Sequence, residues 1–152
     1  MSAQLTAILD DLERHKHAFD FNDNGLADAV AEATSVGIFE YLDREIDVNN
    51  SPFIALSEGY EAWKSRHFPG KPIGELYGLM KSPDQLKGTL EIQQYAMSQT
   101  YGTTEEARLL AEWFQEGYAP QNRPPRPFYG LNDLVLVLLD TVFENRFADA
   151  VR

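Results

Sequence analysis

No cysteine occurs in these 152 residues, which excludes disulfides, thiolate chemistry and zinc sites of the cysteine type. Long apolar runs are missing as well. The longest aliphatic stretch, LVLVLL from Leu134 to Leu139, is six residues, against the ~20 a helix needs to span a bilayer. Basic charge is scarce: 13 Lys and Arg stand against 24 Asp and Glu, for a formal net charge of −11. Nucleic acid repels such a chain, and the scattered lysines and arginines predict no DNA readout. The opening MSAQLTAILDDLERHK has no basic stretch ahead of an apolar core, so no signal peptide is expected. A soluble protein with no membrane partner is the expectation. There is no glycine-rich phosphate loop and no serine in a nucleophile elbow. Nothing singles out a catalytic pair of carboxylates, so no enzyme and no cofactor are expected.

What is present is enough apolar material for a core: 43% hydrophobic and 12% aromatic residues. The length predicts one domain over 1–152, with a helical part over about 2–50 and an α+β core over about 51–152. Leu5, Ile8, Leu9 and Leu12 form an apolar stripe at helical spacing, with Ser2 available as cap. A second helix is expected from Leu26 to Ile46, its stripe running through Ala29, Val30, Ala33, Ile38, Phe39 and Leu42. A short helix follows, with Ser57 as cap and Leu56, Tyr60, Trp63 and Phe68 as apolar contacts. IGELYGLMKS predicts a further helical turn, stopped by Pro83. Leu86, Gly88, Leu90 and Ile92 then alternate with polar residues, which predicts an antiparallel hairpin whose second strand runs from about Ala96 to Tyr101.

Thr103 or Thr104, Glu105 and Glu106, and Gly117 mark the start and end of a well-defined helix. The last helix, over LNDLVLVLLDTVFENRFADAV, is apolar around most of its circumference and must be covered on more than one side. The fold expected is α+β: a short antiparallel sheet flanked by several helices.

Three stretches invite a chemical reading. DFNDNG, Asp20 to Gly25, opens like a calcium loop. Its twelfth position, where a bidentate carboxylate is needed, is Ala31, and Glu32 comes one residue late. A polar turn is the better reading, so no metal is expected. His15 and His17 are two positions apart on a helix and face different ways, and His67 has no carboxylate pair nearby. PPRP, Pro124 to Pro127, has the P-x-x-P form of a polyproline II ligand. It stands between two expected helices, where a rigid lead-in is the commoner use. Phe128 is then the expected core anchor, Gly130 the turn into the last helix, and Arg126 a donor to backbone carbonyls or to an acidic neighbour.

Taken in order, three segments resemble the phage virion-morphogenesis and tail-completion proteins and the related neck proteins of long-tailed phages. The first match is carried by Phe53, Leu56, Ser57, Lys64, Pro69, Gly70, Ile73, Gly78 and Ser82. The second is carried by Ala111, Gln115 and Gly117, with Leu110 and Phe114 where the family commonly has tyrosine and histidine. The third, Pro-x-Arg-Pro-Phe-x-Gly-Leu, is matched in full by Pro124, Arg126, Pro127, Phe128, Gly130 and Leu131.

The resemblance implies a structural virion component at the head–tail junction, made in the host cytoplasm and built into a ring that joins the tail to the DNA-filled head. It implies no active site. The implied partners are further copies of the chain and neighbouring neck, head-completion or tail-terminator proteins, with DNA only as a non-specific passenger of the channel. Acidic side chains would then line that channel and repel the DNA. The interface is expected on the last helix and around Trp63, Trp113 and Phe114, since aromatics dominate contact energies. The alternative is an adaptor that presents the proline motif to a host or phage partner.

Overall fold

Small side chains decide how the two longest helices meet. In a computed structural model, which describes residues 10, 11, 13, 16–22, 25–71, 83–100, 102, 104–150 and 152, helix α1 spans Leu26–Asp43. Its buried residues include Ala27, Ala31, Ser35 and Gly37 beside Leu26, Ile38 and Leu42. Against this face lies the C-terminal helix, Asp133–Ala150, running antiparallel: Gly37 meets Val135, and Gly25 faces Arg146. A methyl group built on Gly37 would stand 2.6 Å from the Val135 side chain and 2.9 Å from its backbone nitrogen. Only a hydrogen at that position allows so close a crossing.

The expected stop of the first long helix at Ile46 is three residues late. Glu45 adopts a left-handed φ of 58°. Its N–H and that of Ile46 turn back to the carbonyls of Leu42 and Tyr41, at 3.2 and 3.1 Å. This is a Schellman ending with glutamate where glycine is usual, so no glycine marks the stop in the sequence.

A short helix, α2, covers Glu58–His67, with Ser57 at the N-cap position but without a side-chain capping bond. Its one buried residue is Lys64, while Trp63 is exposed. The expected apolar contacts are therefore replaced by an outward aromatic ladder, in which Tyr60 and His67 stack on Trp63 at 5.6 and 4.9 Å. Pro83 does not merely stop a turn. It opens helix α3, Pro83–Lys87, at the first position, where a missing N–H costs nothing. Leu86, expected on a strand, sits fully buried in α3 instead.

The hairpin begins after it, with β1 at Thr89–Gln93 and β2 at Ala96–Thr100 paired antiparallel from Thr89↔Thr100 to Gln93↔Ala96. Gly88, between α3 and β1, has φ 56° and lies so close to the Thr100 carbonyl that a Cβ would fall 1.6 Å from that oxygen. The hairpin buries little and is tied down by polar bonds. Gln99 Nε2 donates to Ser35 Oγ at 2.9 Å and to the Lys87 carbonyl at 2.8 Å. At the tip, Gln94 donates to Asp20 at 2.9 Å and accepts from the Phe21 N–H at 2.9 Å.

Helix α4, Glu105–Glu116, is capped by Thr104, whose hydroxyl accepts from the Ala107 N–H at 3.1 Å, and ends at Gly117 with φ 83°. A single 3-10 turn at Ala119–Gln121 leads into the proline segment. The Asp133–Ala150 helix is α5. Helices around one antiparallel hairpin make this an α+β domain, with a core of Ile38, Leu42, Phe53, Leu86, Ala111, Phe128 and Val135. Among the described residues no helix is long and apolar enough to cross a membrane. The helix expected from Ser2 and the turn expected over residues 73–82 fall wholly or mostly outside the described residues.

Asn132 locks α5 to α1. It is fully buried, accepts from the Val135 N–H at 2.9 Å as N-cap, and donates to the Gly37 carbonyl at 3.2 Å. Asn132→Ala leaves the Val135 N–H buried and unpaired, at about 1–3 kcal/mol, and removes the second donor of the Gly37 carbonyl, which keeps its bond within α1. A chemical denaturation curve is expected to show the midpoint falling with the slope unchanged.

Candidate functional site

Proline fixes φ but donates no hydrogen bond, so a proline-rich segment is held by the residues between its prolines. Here every such tie is made. The Arg126 N–H donates to the Phe114 carbonyl at 2.7 Å, and the Pro127 carbonyl accepts from the Val48 N–H at 3.1 Å. Gln115 Oε1 accepts from the N–H groups of Phe128 and Tyr129, at 2.8 and 3.2 Å. The Arg126 side chain donates from Nε to the Ile54 carbonyl at 2.7 Å and from Nη2 to the Ala55 carbonyl at 3.1 Å. Of the two partners expected for Arg126, the carbonyls are the ones it takes. Phe128 is 0% exposed and packs edge-on against Phe114 and Tyr129, with centroids 5.5 and 4.8 Å away. A polyproline II ligand needs its strip free, and this one has an arginine and a phenylalanine sunk into the domain.

The segments that carried the family resemblance are brought into contact. Gln115 bonds Phe128, and Arg126 bonds the chain just before Leu56 and Ser57. Ile73, Gly78 and Ser82 lie outside the described residues. Gly130 stands against Val48, where an added Cβ would come within 3.3 Å of a methyl group.

Between α2, α4 and the proline segment lies a cleft of about 430 Å³. Tyr60, Leu110, Trp113 and Phe114 supply its apolar walls, and Arg123 and Arg126 its charge. The Arg123 guanidinium lies 5.7 Å from the centre of the Tyr60 ring, and that of Arg126 5.7 Å from the centre of the Phe114 ring. Burial, with the neighbouring charge of Arg123 added, holds the Arg126 guanidinium below its ordinary value. Phe114, expected on an outer interface, is half-buried, in edge contact with Phe53 at 5.2 Å, so it joins core to cleft. Trp63 and Trp113 are both partly exposed, Trp113 leaning on Tyr118 at 4.7 Å. The cleft draws on segments far apart in the chain, and no local motif announced it.

The second feature is the outer face of α5. Val135 is its one fully covered residue, whereas Leu136, Val137 at 60% and Phe147 at 51% stand exposed.

No group of histidines and carboxylates among the described residues could hold a metal ion. In the DFNDNG turn, Asp20 spends one oxygen on the Asn22 N–H and the other on Gln94, both at 2.9 Å. These hydrogen bonds, that of Gln94 foremost, hold the Asp20 carboxyl below the usual range. Asp23 and Asn24 lie outside the described residues, as does His15; His17 is exposed, and His67 Nδ1 is 2.8 Å from the Trp63 carbonyl. Comparison with protein-family models, with curated proteins and with solved structures finds no match to this chain.

Proposed function

We propose that this chain is a non-enzymatic structural component of a phage virion, a subunit of a ring at the head–tail junction that joins the tail to the DNA-filled head. The observation that carries the reading is the outer face of α5. Leu136, Val137 and Phe147 form an apolar surface that a lone subunit leaves in water. Apolar side chains left in water along a helix that also packs on the core offer a surface for a protein contact. In a ring the contact is heterologous, each copy's α5 meeting a different patch on the next. The ordered resemblance of the three segments supports the same reading, since Arg126 and Phe128, its most specific residues, are those that fix the proline segment to the core. Neighbouring neck, head-completion or tail-terminator proteins are the further partners, and DNA passes without being read.

Deletion of the gene tests the proposal. Electron micrographs of the lysate are expected to show full heads and free tails lying separately. Joined particles in normal number would overturn it.

A further inference from the structure

We infer that the cleft between α2, α4 and the proline segment is an anion-recognition site that seats an apolar side chain flanked by carboxylates, presented by a partner polypeptide. The first ground is charge. In a chain of net charge −11, two arginines line this cleft and no aspartate or glutamate does. The second is the state of Arg126. It is 6% exposed, and arginine keeps its proton in proteins. Its Nε and Nη2 are spent on the Ile54 and Ala55 carbonyls, while Nη1 has no partner among the described residues. No carboxylate pairs with it there either. Buried charges are ordinarily paired, because an isolated one costs several kcal/mol in lost hydration. The two carbonyl dipoles offset part of that cost, and an incoming carboxylate supplies the missing counter-charge. Arg123, half-exposed above Tyr60 and likewise outside any ion pair among the described residues, can take a second one.

The walls specify the rest of the ligand. Tyr60, Leu110, Trp113 and Phe114 enclose a space large enough for an aromatic side chain, since ligand pockets run to roughly 300–1,000 Å³. The apolar surface also continues past the rim. Leu109 and Trp113, one helical turn apart on α4, are both exposed, and Trp63 stacks on the wall residue Tyr60 at 5.6 Å. A small organic acid would cover the cleft alone. A polypeptide with alternating acidic and apolar residues covers both, and its charge complements the two arginines. The inference does not rest on the head–tail reading.

Tryptophan emission provides the readout. The chain has two tryptophans, so Trp63→Phe leaves Trp113 as the reporter in the cleft. The probe is acetyl-Leu-Glu-Phe-Glu-Leu-amide, titrated into the folded full chain. Saturable binding is expected, weakened about tenfold or more when both glutamates are replaced by glutamine. Arg123→Gln on the protein is expected to weaken it about as much without altering the melting temperature. Arg126→Gln should also abolish binding, but it strips the Ile54 and Ala55 carbonyls of their donor; the Arg123 variant keeps the test clean if it fails to fold.

No saturation by about 1 mM peptide would overturn the inference. So would equal affinity for the glutamine peptide, which would make the cleft a plain apolar groove. Acetyl-phenylalanine binding as tightly as the peptide would overturn the assignment of a polypeptide partner. These outcomes are independent of particle assembly: an empty cleft leaves the virion reading intact, and joined virions from the deletion leave the cleft intact.

Discussion

Phe128→Ala is expected to destabilise the domain by about 3–5 kcal/mol, the usual cost of deleting a buried aromatic ring. For a chain of this length that is a fall in melting temperature of about 6–20 °C. Position matters here as well as size. Phe128 is the largest fully buried side chain of the described residues, and its ring contacts both Phe114 and Tyr129. Its backbone N–H is fixed by Gln115, and the residue two before it is fixed by the carbonyls of Ile54 and Ala55. The surroundings therefore have little freedom to close the cavity, which puts the cost toward the upper end. Arg123→Ala, five residues earlier, removes only a half-exposed side chain and should leave the thermal melt unchanged. A circular-dichroism melt in which Phe128→Ala moved by less than about 2 °C would remove the anchoring role.

Gly37→Ala is the second large effect, and its sign is the test. In an ordinary helix interior, replacing glycine by alanine stabilises by about 1 kcal/mol. Here the new methyl group would stand 2.6 Å from a Val135 methyl and 2.9 Å from the Val135 nitrogen. The backbone cannot yield as a flexible side-chain tip can, so α1 and α5 must move apart. Overpacking of this kind costs about 1–3 kcal/mol, and more when a backbone has to shift. The same movement stretches the bond from Asn132 to the Gly37 carbonyl. Destabilisation on urea unfolding is the expected result; a more stable protein would mean that the helices do not cross so closely.

The two helices α1 and α4 separate what the sequence makes legible from what it does not. In α4 the Thr104 cap, the two glutamates of the first turn and Gly117 beyond the end are all local signals, and all are used. The end of α1 was hidden because Glu45 takes a conformation that normally advertises itself as glycine. The face that α1 buries was hidden for a different reason. Periodicity weighs large apolar residues, yet close helix approach buries Ala27, Ala31, Ser35 and Gly37. In α2 the aromatic pattern pointed inward, whereas Lys64 is buried and Trp63 is exposed.

Arg126 and Phe128 could be named in advance because proline spacing constrains the chain around them. Asn132 carried no comparable mark, although Asn followed by Asp ahead of an apolar helix is a capping pattern. The cleft could not be named at all. Its charge, its walls and its rim come from three stretches of chain, and only folding places Tyr60 beside Arg123.

The Asn132–Gly37 bond joins residues 95 positions apart. That separation governs the order in which the molecule can be made. As the ribosome delivers the chain, the small-residue face of α1 emerges early and stays uncovered until α5 has cleared the exit tunnel. Closing a loop of that length costs about 4 kcal/mol of chain entropy before the first contact repays it. The strand pairing of the hairpin and the capped turns of α4 can form meanwhile, because those bonds join near neighbours in sequence. Completion of the core thus waits for α5, and a chain truncated before Asn132 lacks the residue that closes it.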